Sequence, residues 1–144
     1  MYNRNQLEDN AMFQILVVED DKNTRKLMEA VLKSNGFHPI MACNGEEALK
    51  LLDKHLVDLA VLDIMMPGMD GYELTKQLRA SDYNLPILMV TAKQLPEDKR
   101  KGFIVGTDDY MTKPVDEEEM ILRIKALLRR AQIASERKIV IGDV

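Results

Sequence analysis

The strongest constraint on the fold is an apolar run, Leu59-Ala60-Val61-Leu62, that stops abruptly at a carboxylate, Asp63. An unbroken run of this length fits a strand covered on both faces, as in parallel sheets. Asp63 then sits at the strand's carboxyl end, and open α/β sheets collect their ligands outside those ends. Pro67 and Gly68 break regular structure, and Asp70 with Glu73 has capping-box spacing for a helix over about 71–81.

The same grammar repeats along the chain. Residues 13–18 read as a strand ending in a second acidic cluster, Glu19-Asp20-Asp21. Leu27, Met28, Val31 and Leu32 recur at helical spacing over about 22–35, and Gly36 supplies the stop. A short strand follows at 37–41, then Asn44-Gly45-Glu46-Glu47 caps a helix with Ala48, Leu51 and Leu52 on its apolar side. After the central strand, Leu74 and Leu78 face inward from the next helix, and residues 86–90 form a strand ending at Thr91. Pro96, Glu97 and Asp98 suit a helix start, but the helix to 105 has only a weak apolar stripe. A strand at 108–111 leads to Lys113-Pro114, and Asp116 with Glu119 opens a last helix to about Ala131. Five strands alternating with helices predict an α/β fold. Its parallel five-stranded sheet has helices on both faces, and if the order is the flavodoxin-like 2-1-3-4-5, a crevice lies over strands one and three.

A chain of 144 residues with 46% hydrophobic content buries a full core without disulfide or metal staples. We expect one domain over 13–131, after a loose polar extension at 1–12. The net charge of −4 argues against nucleic-acid binding through a basic surface, so any DNA contact must come from elsewhere. The single cysteine, Cys43, excludes an internal disulfide and reads as a small core residue, while His38 and His55 lack metal-ligand spacing. With no signal peptide and no apolar stretch of membrane-spanning length, the expectation is a cytoplasmic protein with no membrane partner. Residues 137–144 alternate like a strand with no partner left in the chain.

The polar residues at the strand ends define a chemistry. Glu19, Asp20 and Asp63 converge in the crevice and repel one another unless a cation joins them, and hard oxygen ligands suit Mg²⁺. Thr91 and Lys113 bring a hydroxyl and an ammonium, groups that bind phosphate. Together they suit phosphoryl transfer, with an aspartyl phosphate on Asp63 as the product.

Four stretches carry a resemblance: residues 15–21 (ILVVEDD), 61–71 (VLDIMMPGMDG), 90–92 (VTA) and 106–114 (GTDDYMTKP). In this order and at these separations the chain resembles the receiver domain of a bacterial two-component response regulator. The resemblance implies that Asp63 is the phosphoacceptor. It also implies that Asp20, Asp63 and the Met65 backbone carbonyl bind Mg²⁺, with Glu19 reaching it directly or through water. Thr91 and Lys113 then contact the phosphoryl oxygens, Tyr110 is an aromatic switch that follows Thr91, and the Lys113-Pro114 peptide is cis. Such a domain catalyses only its own phosphotransfer and dephosphorylation. The family commonly has Ala at Thr107 and Phe at Val115, and Met65 and Lys93 occupy positions where it varies and where phosphoryl lifetime is tuned.

The tail, Arg129-Arg130 and then a strand-like 139–144, resembles the OmpR/PhoB-like subfamily, in which a similar strand opens a winged-helix DNA-binding domain. That domain would be missing here, with 132–144 as linker and its possible beginning. The implied partners are a cognate sensor histidine kinase and, on phosphorylation, a second copy of the chain. Lys99, Asp108, Asp109, Glu119, Arg123 and Arg130 would pair across that dimer, around an apolar patch from Met120, Ile121, Leu122, Ile124, Leu127 and Leu128. A haloacid-dehalogenase-like phosphatase also forms an aspartyl phosphate, but it needs an acid two residues after the nucleophile, where this chain has Met65. A pseudo-receiver that takes no phosphate has no need of the full set Asp20, Asp63, Thr91 and Lys113.

Overall fold

Side chains alternate across a strand, so a sheet buried on both faces carries two cores, and this chain has both. The computed structural model describes residues 13–81, 83–92 and 96–142. In chain order the elements are β1 (Gln14–Val18), α1 (Lys22–Ser34), β2 (His38–Ala42), α2 (Gly45–Leu52), β3 (Leu59–Leu62), α3 (Gly71–Ala80), β4 (Ile87–Thr91), α4 (Pro96–Val105), β5 (Asp109–Thr112) and α5 (Glu117–Gly142). All pairings are parallel, in the order β2-β1-β3-β4-β5 expected from the sequence.

On one face Ile15, Val17, Leu59, Val61, Leu88 and Val90 pack against Met28, Val31 and Leu32 of α1 and Met120, Ile124 and Leu127 of α5. On the other, Leu16, Val18, Ala60, Leu62 and Ile87 meet Ala48 and Leu52 of α2 and Leu74 and Leu78 of α3. A small third cluster of Ile64, Tyr72, Met89 and Tyr110 sits at the corner nearest α4, with Val105 against it. Helix starts follow the sequence signals. Asn44, Asp70 and Asp116 accept the backbone N–H groups of Glu47, Glu73 and Glu119 at 2.8, 2.9 and 2.8 Å. Gly36 and Gly106 adopt positive φ of 84° and 117° where α1 and α4 end, a conformation that glycine takes without steric cost.

Several expectations change. Leu27 is 42% exposed and outside the core, because Met28, Val31 and Leu32 already fill the sheet-facing side of α1. Cys43 is only half-buried; it lies in the β2–α2 loop, where its N–H donates to Glu47 Oε1 at 3.0 Å. Five of the six apolar residues proposed as a partner patch on α5 are core, and only Leu122 is exposed. The breadth of that apolar face reflects packing against both the sheet and α1. The last helix continues past Ala131 to Gly142, so residues 139–142 are helical where alternation predicts a strand. A strand with no partner leaves its backbone groups unpaired, whereas a helix pairs them within itself. The extension at 1–12, Lys93 and residues 143–144 lie outside the described residues.

Candidate functional site

Backbone pairing at the carboxyl edge of the sheet assembles the site. The Asp63 N–H donates to Val18 O at 3.0 Å and the Glu19 N–H to Ala42 O at 3.0 Å, so the ends of β1 and β3 deliver their acids side by side. The Lys113 N–H donates to Thr91 O at 2.8 Å, which ties the loop after β5 to the end of β4. Thr91 is fully buried, and the peptide bond from Lys113 to Pro114 is cis, as the resemblance implies. Arg25 Nη1 donates to the carbonyl oxygens of Glu19 at 2.8 Å and Asp20 at 3.3 Å. That clamp was not foreseen, since an arginine in the first turns of a helix reads as a solvated side chain.

The Lys113 ammonium lies 2.7 Å from Glu19 Oε1 and 2.9 Å from Asp63 Oδ2. Both carboxylates are almost wholly buried and Asp20 is exposed. Burial pushes the Glu19 carboxyl up from 4.5 to about 7; Lys113 and the Asp21 N–H pull it down, and the Asp63 charge adds to the rise. Burial works to lower the Lys113 pKa, but its hydrogen bonds to Glu19 and Asp63 prevail and raise it.

Glu19, Asp20 and Asp63 each offer a carboxylate oxygen, and these oxygens lie within 4.8 Å of one another. The Lys113 ammonium contacts two of these acids, Glu19 and Asp63, so the three carboxylates together outnumber the positive charge beside them. An all-oxygen donor set with Asp20 exposed at its edge suits Mg²⁺. Asp21, the third acid of the β1 cluster, is not part of it: its carboxylate caps α1, accepting from Thr24 N at 2.8 Å. Met65 places its N–H on Asp63 Oδ1 at 3.2 Å and its side chain in solvent, so no general acid stands where a dehalogenase-like phosphatase needs one.

Glu19 also fixes the pH dependence of stability. Its folded value lies above its unfolded one, so the folded chain holds a proton that the unfolded chain releases between about 4.5 and about 7. This contribution is fully present below 4.5 and is lost as pH rises through 7, by at most about 1.4 kcal/mol per pH unit. Urea midpoints in chelator should therefore fall across that window. Millimolar Mg²⁺ should raise them at pH 7 and above by binding the folded state alone. Asp20→Asn should lose the Mg²⁺ response while remaining folded.

The other residues expected at a surface behave differently from one another. Arg123 pairs within the chain, with Asp109 at 2.9 Å and Glu119 at 2.8 Å, and these contacts raise its pKa. Asp108 is taken by Arg79 at 2.8 Å and by the Ile87 N–H at 2.8 Å, so it is an internal fastening rather than a free charge. Within the single chain Arg123, Glu119, Asp109 and Asp108 therefore already have partners. Lys99 stands 5.9 Å from the centre of the Tyr110 ring, and Arg130 is exposed beside Leu122 and Arg123. Tyr110 is buried in the corner cluster, and burial raises its pKa, with Tyr72 adding to the rise.

Comparison with known proteins agrees with this geometry. The family model for the response regulator receiver domain matches residues 15–125. The heme response regulator HssR of Staphylococcus aureus (strain bovine RF122 / ET3-1) is 45% identical over 133 residues, which cover 92% of this chain and 59% of that protein. The chain thus spans about three-fifths of the length of the curated relatives it matches. The receiver domain of the Francisella response regulator 1452 superposes with a TM-score of 0.79 at 36% identity, covering 82% of this chain and 98% of the other. The Vibrio cholerae chemotaxis protein CheY4 gives 0.76 at 31% identity, covering 81% and 98%. Among the described residues no helix is long and apolar enough to cross a membrane. The acidic crevice, the lysine bridging it and the matched span together show that this chain belongs to the response regulator receiver domains, the signalling switches of two-component systems.

Proposed function

We propose that Asp63 accepts a phosphoryl group from the phosphohistidine of a cognate sensor histidine kinase, in the cytoplasm. The observation that carries this is the Lys113 ammonium, 2.9 Å from Asp63 Oδ2 in a nearly buried acidic crevice. Asp63 oxygen attacks phosphorus, the P–N bond breaks, and the histidine nitrogen leaves with the electron pair. Glu19, Asp20, Asp63 and the Met65 carbonyl would hold Mg²⁺, which would supply positive charge against the negative charge of the transferring group. Lys113 and the Thr91 hydroxyl take the remaining phosphoryl oxygens. Dephosphorylation is the attack of water on the same acyl phosphate.

The readout runs through α4, β5 and α5. As Thr91 turns toward the phosphoryl group, Tyr110 moves inward, a two-state change driven by a local charge. A two-fold dimer then forms on this face. Exposed Phe103 and Ile104 of α4, together with Leu122, supply apolar area. Lys99, Glu119 and Arg130 set register, and Arg123 and Asp109 exchange their partners for those of the second copy. In a longer protein of the OmpR/PhoB-like kind, this dimer positions a DNA-binding domain following α5.

Intact-mass measurement with Mg²⁺ and a small phosphodonor tests the proposal. The expected result is a single phosphoryl increment on the wild type, none on Asp63→Asn and none in excess chelator, with a shift toward dimer in sedimentation. Labelling of Asp63→Asn, or undiminished labelling in chelator, overturns it.

A further inference from the structure

Helix α4 is weakly attached by its apolar residues. Phe103 and Ile104 are 51% and 77% exposed, and at Gly102 an added Cβ would lie 3.2 Å from Met89 Sδ and 3.4 Å from the Tyr110 ring. A polar attachment near the start of α4 comes from Tyr72, in the first turn of α3. The Tyr72 ring is buried, its hydroxyl donates to the Asp98 carbonyl in the first turns of α4 at 3.0 Å, and Lys101 lies 4.5 Å from its ring centre. Tyr110 of β5 is buried in the same corner cluster as Tyr72.

The other end of Tyr72 is anchored to the site. Its neighbour Gly71 donates to Ile64 O at 2.9 Å, and the missing Gly71 side chain leaves room for the Asp63 carbonyl. Gly71 thus ties the first turn of α3 to the loop after Asp63, and Tyr72 is the next residue.

We propose that Tyr72 is a positioning residue that couples the Asp63 loop to α4, a second route beside the one through Thr91 and Tyr110. It rests on the reading of Asp63 as phosphoacceptor. In the resting chain the Tyr72 hydroxyl holds α4 down; when the loop shifts, α3 carries the hydroxyl away from Asp98, and α4 is released.

Tyr72→Phe keeps the ring and removes only the hydroxyl. Amide hydrogen exchange across residues 100–105 of the unphosphorylated variant should be roughly tenfold faster than in the wild type, about what one lost hydrogen bond gives. The change in α4 exchange on phosphorylation should shrink by at least half, while the rate of phosphoryl uptake stays at the wild-type value. Wild-type exchange in resting Tyr72→Phe, or a full phosphorylation-dependent change in it, overturns the coupling. If the wild type takes no phosphoryl group, the reading of Asp63 fails, and resting exchange still decides whether Tyr72 holds α4.

Discussion

Gly71→Ala should cost the chain about 3 kcal/mol of folding free energy and more if the backbone cannot yield, read as a lower urea midpoint at unchanged slope. A Cβ there would collide with the Asp63 carbonyl oxygen and would approach Ile64 Cα to 2.8 Å and the Asp63 carbonyl carbon to 3.0 Å. None of these atoms is a flexible side-chain end. Relief requires moving α3 or the loop that carries Asp63, so the variant should also lose Mg²⁺-dependent stabilisation. Gly68→Ala makes a sharp comparison. Gly68 has φ +75° with nothing within 4 Å of the added carbon, so only the left-handed conformation is penalised, at about 1–2 kcal/mol. Equal losses in the two variants would refute the steric account.

Arg79→Ala should destabilise by about 2–4 kcal/mol, the largest effect expected of any cationic side chain here. Its Nη1 donates to the carbonyls of Tyr83 and Leu85 at 2.8 Å each, its Nε and Nη2 to Gly106 O at 3.1 and 2.9 Å, and its Nη2 to Asp108 Oδ2 at 2.8 Å. One guanidinium thus joins the end of α3, the approach to β4, the end of α4 and the start of β5. Gly106 makes the passage possible, since a Cβ there would come within 3.0 Å of Arg79 Cγ. Arg79→Lys retains the charge but presents a point rather than a fork, and should recover less than half of the loss. Chemical denaturation of the three proteins decides it. Arg79→Lys at wild-type stability would mean that charge alone matters.

The parts of the fold legible in the sequence were those whose physics is local. Apolar runs gave the strands, Asn44, Asp70 and Asp116 gave helix starts, and acids ending the first and third strands gave the crevice. Arg79 and Tyr72 were not legible, because a cation late in a helix and an aromatic in a first turn acquire meaning only from segments far along the chain. Helix α5 misled for the complementary reason. Its apolar breadth indicates two packing surfaces, and sequence alone does not say whether the second belongs to the same chain or to another. Alternation in the tail misled too, since period alone does not supply a partner strand.

The corner cluster of Ile64, Tyr72, Met89 and Tyr110 has an evolutionary consequence. The two large cores on the sheet faces account for most of the buried apolar residues, so substitutions there are screened by whether the chain folds at all. The corner is small and half of its members are phenols, so on the coupling proposed for Tyr72 changes there alter when α4 lets go more than whether the chain folds. Lineages descended from such a chain can diversify their response thresholds at this corner without endangering the scaffold, much as an instrument is retuned at its pegs and not at its frame.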